Sequence, residues 1–520
     1  MRLVTSLVAI AILFLPALAQ DKPAKPTPKE KAAELLQAAF DMAPGVQPEV
    51  GATALMRIAE NYQGLDDKKA REAMQRAFAV SLGIPPSDDA KRIRVQILVV
   101  SAAAKVNVKD AMEMIRQTEP LAYVPIYDPR QRPIDDIVGR LIEEKKFDEA
   151  IDFVSSVGVV GQYPYAAAGT IFEKLPKQDL RRSQVFGTAF SVYALRPASP
   201  FTDFIVKHWK ELPKSSAEAA VEAIVSYALS FKSDEYLLET IGSSKGTLTL
   251  RTRTDVELFN IMHLLRSFDK KRAEEILASD PELKAALDRF PDGRASMGQI
   301  LSINISEDST PESIQSAMKD SEAGTQLASV MEQVGKLFQF NLPDDEAEKN
   351  FMKMLELIKT LPDPGQRAEQ LSSIASAVTD EPAIAKSILT DCMEIMKDIK
   401  DPDATVEPWN NIADVAHEIK DDKLTGEAID HALDNAAALL RRDTDPDKPN
   451  IGLRDQWPSV NAYRKAAISA VKSFGVDAQW VLTRIEDPDM GLYARVEMAQ
   501  ALLERPHTNW ARSYSPQKKK

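Results

Sequence analysis

A single cysteine, Cys392, stands in a chain of 520 residues, so no intramolecular disulfide can form and stability must come from packing. Histidine is almost as scarce. His208, His263, His417, His431 and His507 show no His-Glu-x-x-His pattern, and no Cys-x-x-Cys or calcium-loop spacing accompanies them. The best pair, His417 and His431, would differ by roughly 9 Å along consecutive helices, too far for one zinc ion. A Gly-x-Ser-x-Gly elbow, a P-loop and a dinucleotide fingerprint are all missing, and no parallel-sheet pattern would support one. Cys392 falls on the apolar stripe of its helix, where a thiol behaves as a small hydrophobe rather than a nucleophile. The sequence therefore predicts no catalytic residue, no cofactor and no metal. An excess of positive charge is also lacking. The 65 basic residues against 78 acidic ones leave a formal net charge of -13, which gives no reason to seek nucleic acid or anionic lipid.

Long apolar runs are confined to the beginning. MRLVTSLVAIAILFLPALAQ has one positive residue, Arg2, then an apolar stretch to Leu15, a breaking Pro16 and the small pair Ala17 and Ala19. That order predicts a signal peptide, residues 1–19, cleaved after Ala19. Gln20 in place of cysteine argues against a lipid anchor, and the lack of an Arg-Arg pair favours the general secretory route. No later segment is long and apolar enough for a span, so the expected destination is periplasmic or extracellular. Residues 20–31, rich in Pro and Lys, read as a linker.

From Ala32 the apolar residues recur at three and four, and turn residues punctuate them every dozen to twenty positions. Ala368, Leu371, Ile374, Ala375 and Val378 share one helical face. The next helix, capped by Asp380 with Pro382 in its first turn, carries Ala385, Ile388, Leu389, Cys392 and Met396. In the C-terminal third Asp-Pro occurs at Asp363-Pro364, Asp401-Pro402, Asp445-Pro446 and Asp487-Pro488, so successive prolines there lie 38, 44 and 42 residues apart. Two helices per period of about 40 residues predict an all-α chain, a right-handed α-solenoid of antiparallel helix pairs.

KKFDEAIDFV, residues 145–154, resembles the start of the second helix of a tetratricopeptide repeat, with Ala150 at the small-residue packing position. Ile137 and Leu141 fall where that family sets apolar residues on its first helix. Val138 replaces the family's glycine, and its Trp and Tyr are absent. The longer period elsewhere is closer to HEAT-like units. The resemblance implies the α-solenoid superfamily and carries over no catalytic residue.

Two interruptions mark the array. SSKGTLTLRTRT, residues 243–254, alternates like a strand, but is read as a loop running into the next helix. Residues 291–315, dense in Gly, Ser, Asp and Pro, are read as the boundary between a helical-repeat region at 32–290 and another at 316–505, with a basic tail at 506–520. Between prolines on a long connection lie Tyr123, Tyr127, Arg130 and Arg132, and Tyr163 and Tyr165 sit in a nearby loop. Tyr and Arg on loops are the residues that dominate interface hot spots. The same tyrosines could instead seal the loop onto the helices. The functional expectation is an exported scaffold that binds a protein or peptide partner in the cell envelope. The alternative is a polysaccharide- or peptidoglycan-acting enzyme on an α/α superhelical or toroidal fold.

Overall fold

The computed structural model describes residues 25–85, 88–118, 129–157, 163–231, 236–243, 245–298, 300–301, 344–447 and 452–505. The signal peptide and the basic tail expected from the sequence lie outside them. The described chain is mostly helical. None of its helices is long and apolar enough to cross a membrane.

Helices α1 (Pro28–Met42) and α2 (Pro48–Tyr62) come first. Next are α3 (Asp67–Ser81), α4 (Asp89–Val106), α5 (Val108–Gln117), α6 (Gln131–Glu143), α7 (Phe147–Val157), α8 (Tyr165–Lys174), α9 (Arg181–Leu195), α10 (Ser199–His208) and α11 (Lys214–Ala228). A hairpin of β1 (Tyr236–Ser243) and β2 (Gly246–Thr252) leads into α12 (Arg253–Phe268), α13 (Lys270–Ser279), α14 (Pro281–Arg289) and the short β3 (Ile300–Leu301). The remaining helices are α15 (Asp344–Lys359), α16 (Pro364–Ser376), α17 (Pro382–Met396), α18 (Asp403–Glu418), α19 (Asp422–Asp443), α20 (Pro458–Phe474) and α21 (Pro488–Leu502).

Local chemistry sets many of these ends. Thr27 accepts from the Glu30 N–H at 3.2 Å while Glu30 accepts from the Thr27 N–H at 2.8 Å, a reciprocal cap. It starts α1 at Pro28, so the last part of the expected linker is helical. Asp363 and Asp487 cap α16 and α21, each with proline at the first helical position. Pro402 itself caps α18, whereas Asp445-Pro446 lies in a turn and α20 begins only at Pro458. Before Pro382 the cap is Glu381, not Asp380.

The chain forms two compact units, and their division differs from the expected halves. Residues through Asn61 belong with those from Gln333 onward, and the second unit runs from Tyr62 to Glu332. The cause is long-range packing: α1 lies along α21 and buries Leu35, Leu36 and Ala39. Residues 302–315 of the expected boundary lie outside the described residues.

In the unit from Tyr62 to Glu332, alternate helices α4, α6, α8, α10 and α12 lie side by side in a row. Ala150, Ile137 and Leu141 are fully buried there, as is Val138 in place of the repeat family's glycine. Residues 243–254, read as a loop from sequence, instead contain β2, antiparallel to β1, with β3 on the other side of β1. Leu248 and Leu250 alternate with Thr247, Thr249 and Arg251, and only the Leu250 side chain is fully enclosed. Gly246 has φ +116°, a conformation that side-chain-bearing residues rarely adopt, so glycine suits the turn. In the other unit α16, α18 and α20 form an equivalent row, with α17 and α19 packed behind.

Candidate functional site

Tyr123 and Tyr127 lie outside the described residues. The other four residues selected from the sequence do not form one surface. Arg130 is 1% exposed at the start of α6 and donates to the Thr118 carbonyl at 3.3 Å. Arg132, two residues further on, is exposed. Tyr163 and Tyr165 are both buried, edge to face at 4.8 Å, and Tyr165 meets Phe201 at 5.5 Å. Burial pushes both phenols well above their ordinary range. They are the edge of an aromatic cluster in which Phe201 touches Tyr193 at 4.6 Å and Phe204 at 6.2 Å. The rings seal the helices, which leaves Tyr163, Tyr165 and Arg130 no side-chain surface to offer a partner.

An open groove lies in the other unit. About 400 Å³ in volume, it crosses the row α16, α18 and α20 and is lined by Asp363, Glu369, Asp403, Glu407, Asn461 and Lys465. Its position follows from local structure. Asp363 caps α16 by accepting from the Gln366 N–H at 2.7 Å, and Asp403 sits in the first turn of α18, so acidic groups gather where helix N-termini favour them. Gly365 lets the two helices approach, since a Cβ there would lie 3.0 Å from the Ala404 Cβ. Pro408, inside α18, has no N–H for the Ala404 carbonyl, so the groove wall carries a backbone acceptor without its regular helical partner.

Charges in the groove are unequally matched. Lys465 pairs with Glu407, and Arg442 reaches Asp403 at 3.7 Å, while Asp363 and Glu369 have no ion pair among the described residues. Four carboxylates against one lysine give the lining a net negative charge, and the Gln366 and Asn461 amides can both donate and accept. It holds no thiol and no imidazole. Among the described residues no group of three or more His, Cys, Asp or Glu side chains could hold a metal ion. Cys392 donates to the Ala368 carbonyl at 3.2 Å in the core of this unit, and burial pushes its thiol up to about 12. His417 is half-buried and His431 exposed, stacked on Trp409 at 4.3 Å.

Beneath the surface the same unit contains an enclosed ionic cluster. Glu497 on α21 pairs with Arg57 on α2 and lies 3.3 Å from Arg464 on α20. The Thr53 and Tyr493 hydroxyls share a hydrogen bond of 2.8 Å, and Arg464 lies over the Tyr493 ring at 4.8 Å. Nearby, Arg454 meets Asp489 at 2.5 Å and gives its backbone N–H to Glu49. Burial pulls Arg464 down to about 10, with Arg57 adding repulsion and Glu497 opposing it. No ligand could reach these groups without separating the helices, so the cluster is a clasp and not a binding site.

Sequence reasoning missed the groove because its carboxylates look like ordinary helix caps. The signal that was present is the pair Asp363 and Asp403 at the starts of α16 and α18, which stacking then brings side by side. No protein-family model matches the chain, and no curated protein shows significant similarity to it.

Proposed function

We propose that the protein is an exported α-solenoid scaffold whose groove across α16, α18 and α20 holds a basic, extended segment of a partner protein or peptide. One observation carries the reading: the groove is open and bordered by four carboxylates, two of them without an ion pair among the described residues. Rows of alternate helices support the solenoid part, because such stacking makes a continuous surface from successive repeats. The apolar leader ending at Ala19 supports export. Such a site would steer a cationic partner and discriminate by charge more than by buried area.

The test is fluorescence anisotropy with the mature chain and three peptides of equal length, one rich in Lys and Arg, one neutral and one acidic. The basic peptide should bind, weaken as salt rises, and lose roughly tenfold or more in affinity to a Glu369→Lys/Asp403→Lys variant. Equal binding of the basic and acidic peptides would sink the proposal.

A further inference from the structure

His208, at the end of α10, is buried in the unit from Tyr62 to Glu332. Its ring lies 5.1 Å from Phe172 on α8 and 5.1 Å from Phe204 on its own helix. Gly169 on α8 faces the same two rings, where a Cβ would reach ordinary van der Waals contact with Phe204 and His208. Each ring nitrogen faces a carboxylate: Nε2 is 3.4 Å from Glu173 of α8, and Nδ1 is 3.6 Å from Glu211 in the turn after α10.

Both carboxylates are already matched. Lys207 pairs with Glu173, while Arg182 of α9 pairs with Glu211 at 2.7 Å and stacks over Phe172 at 3.9 Å. From α11 and α12, which also pack on α10, no described charged side chain pairs with the ring. Nδ1 makes no hydrogen bond. The imidazole is thus a buried wedge joining α8 to α10, flanked by rings, and the two carboxylates that face it are already engaged by Lys207 and Arg182.

We propose that His208 is an acid trigger built into this unit: uptake of a proton turns the wedge between Phe172 and Phe204 into a buried cation, and the contact of α8 with α10 loosens. The direction follows from burial, which pulls His208 below the ordinary imidazole value against the smaller opposing pull of Glu211 and Glu173. A base whose folded value is lowered leaves the unfolded state binding more protons. Stability is therefore complete above the unfolded value of about 6.5 and falls as pH drops from there toward the lowered folded value. His263 on α12 is also lowered by burial, partly opposed by Asp292, and supplies the control.

Hydrogen exchange of the mature chain at pH 7.5 and 5.5, corrected for intrinsic rates, tests this directly. Residues 165–174 and 199–208 should lose protection selectively on acidification, the opening constant rising by up to about tenfold per pH unit within the window. His208→Gln and His208→Phe should remove that selective loss and flatten the fall in Tm with pH, whereas His263→Gln should leave the α8 and α10 response in place. Equal protection of α8 and α10 at the two pH values overturns the trigger, whether or not the variants fold. So does a variant that folds and keeps the wild-type response.

Discussion

Two units built from the same kind of helix pair enclose their centres with opposite chemistry. In the unit from Tyr62 to Glu332 the centre around α8, α9 and α10 is a stack of rings, with Phe201 in contact with Tyr165, Phe190, Tyr193 and Phe204. In the other unit the place where α2 meets α20 and α21 is occupied by Arg57, Arg464, Glu497 and the Thr53–Tyr493 pair. The rings pack elements close in sequence, and the ions join elements more than four hundred residues apart. An apolar contact tolerates small shifts in alignment, but a buried ion pair is favourable only when its partners are present and correctly placed. Ionic closure thus fixes one alignment of α2 on α21, which an apolar seam would leave less determined.

The most severe way to break this contrast is Glu497→Ala. It leaves Arg57 and Arg464 facing each other in an enclosed space, and removing one member of a buried ionic group costs about 3–5 kcal/mol. The expected readout is a lower urea midpoint together with early exchange of residues 28–62, while α6–α10 keep their protection. Simultaneous loss across both units would show that the clasp is not local to its own unit. Phe201→Ala is the matching lesion in the aromatic centre. Phe201 is fully buried, and its loss removes both transfer energy and the packing of four neighbouring rings, at about 3 kcal/mol. Here early exchange should appear in residues 165–208 and leave α1 and α2 unaffected.

The same contrast explains what could be read from the sequence. Helical faces were legible because packing of neighbouring helices repeats every three or four residues: Ala368, Leu371 and Ala375, and Ala385, Leu389 and Cys392, are buried as their spacing implies. Ala150, Ile137 and Leu141 are buried for the same reason. The clasp was not legible, since nothing local in Arg57 or Thr53 specifies a partner near residue 495. Glu497 did carry a trace: it stands on α21 beside Val496 and Met498, where almost every side chain is buried. The hairpin was missed because Thr-Leu alternation over a few residues also suits a loop, and its partner strand YLLETIGS has little alternation of its own. The groove needed three helix starts, spread over about a hundred residues, to be set side by side.

The finest discrimination comes from two tyrosines, both almost fully buried and one in each centre. Tyr493 shares a hydrogen bond with Thr53 at 2.8 Å, whereas the Tyr193 hydroxyl has no hydrogen-bond partner among the described residues. Burial raises both phenols, so each is neutral at ordinary pH and the comparison is one of hydrogen bonding alone. Tyr493→Phe keeps the ring beneath Arg464 and loses only the shared bond, which should cost about 1 kcal/mol in urea unfolding. Tyr193→Phe removes a hydroxyl that was desolvated without compensation, so its stability should be unchanged or higher by about 1 kcal/mol. Opposite signs, measured on two chemically identical deletions, would establish that one unit depends on its buried polar atoms and the other merely contains them. Equal losses would mean that the Tyr193 hydroxyl is also satisfied in solution, and the aromatic centre would then have to be counted as polar too.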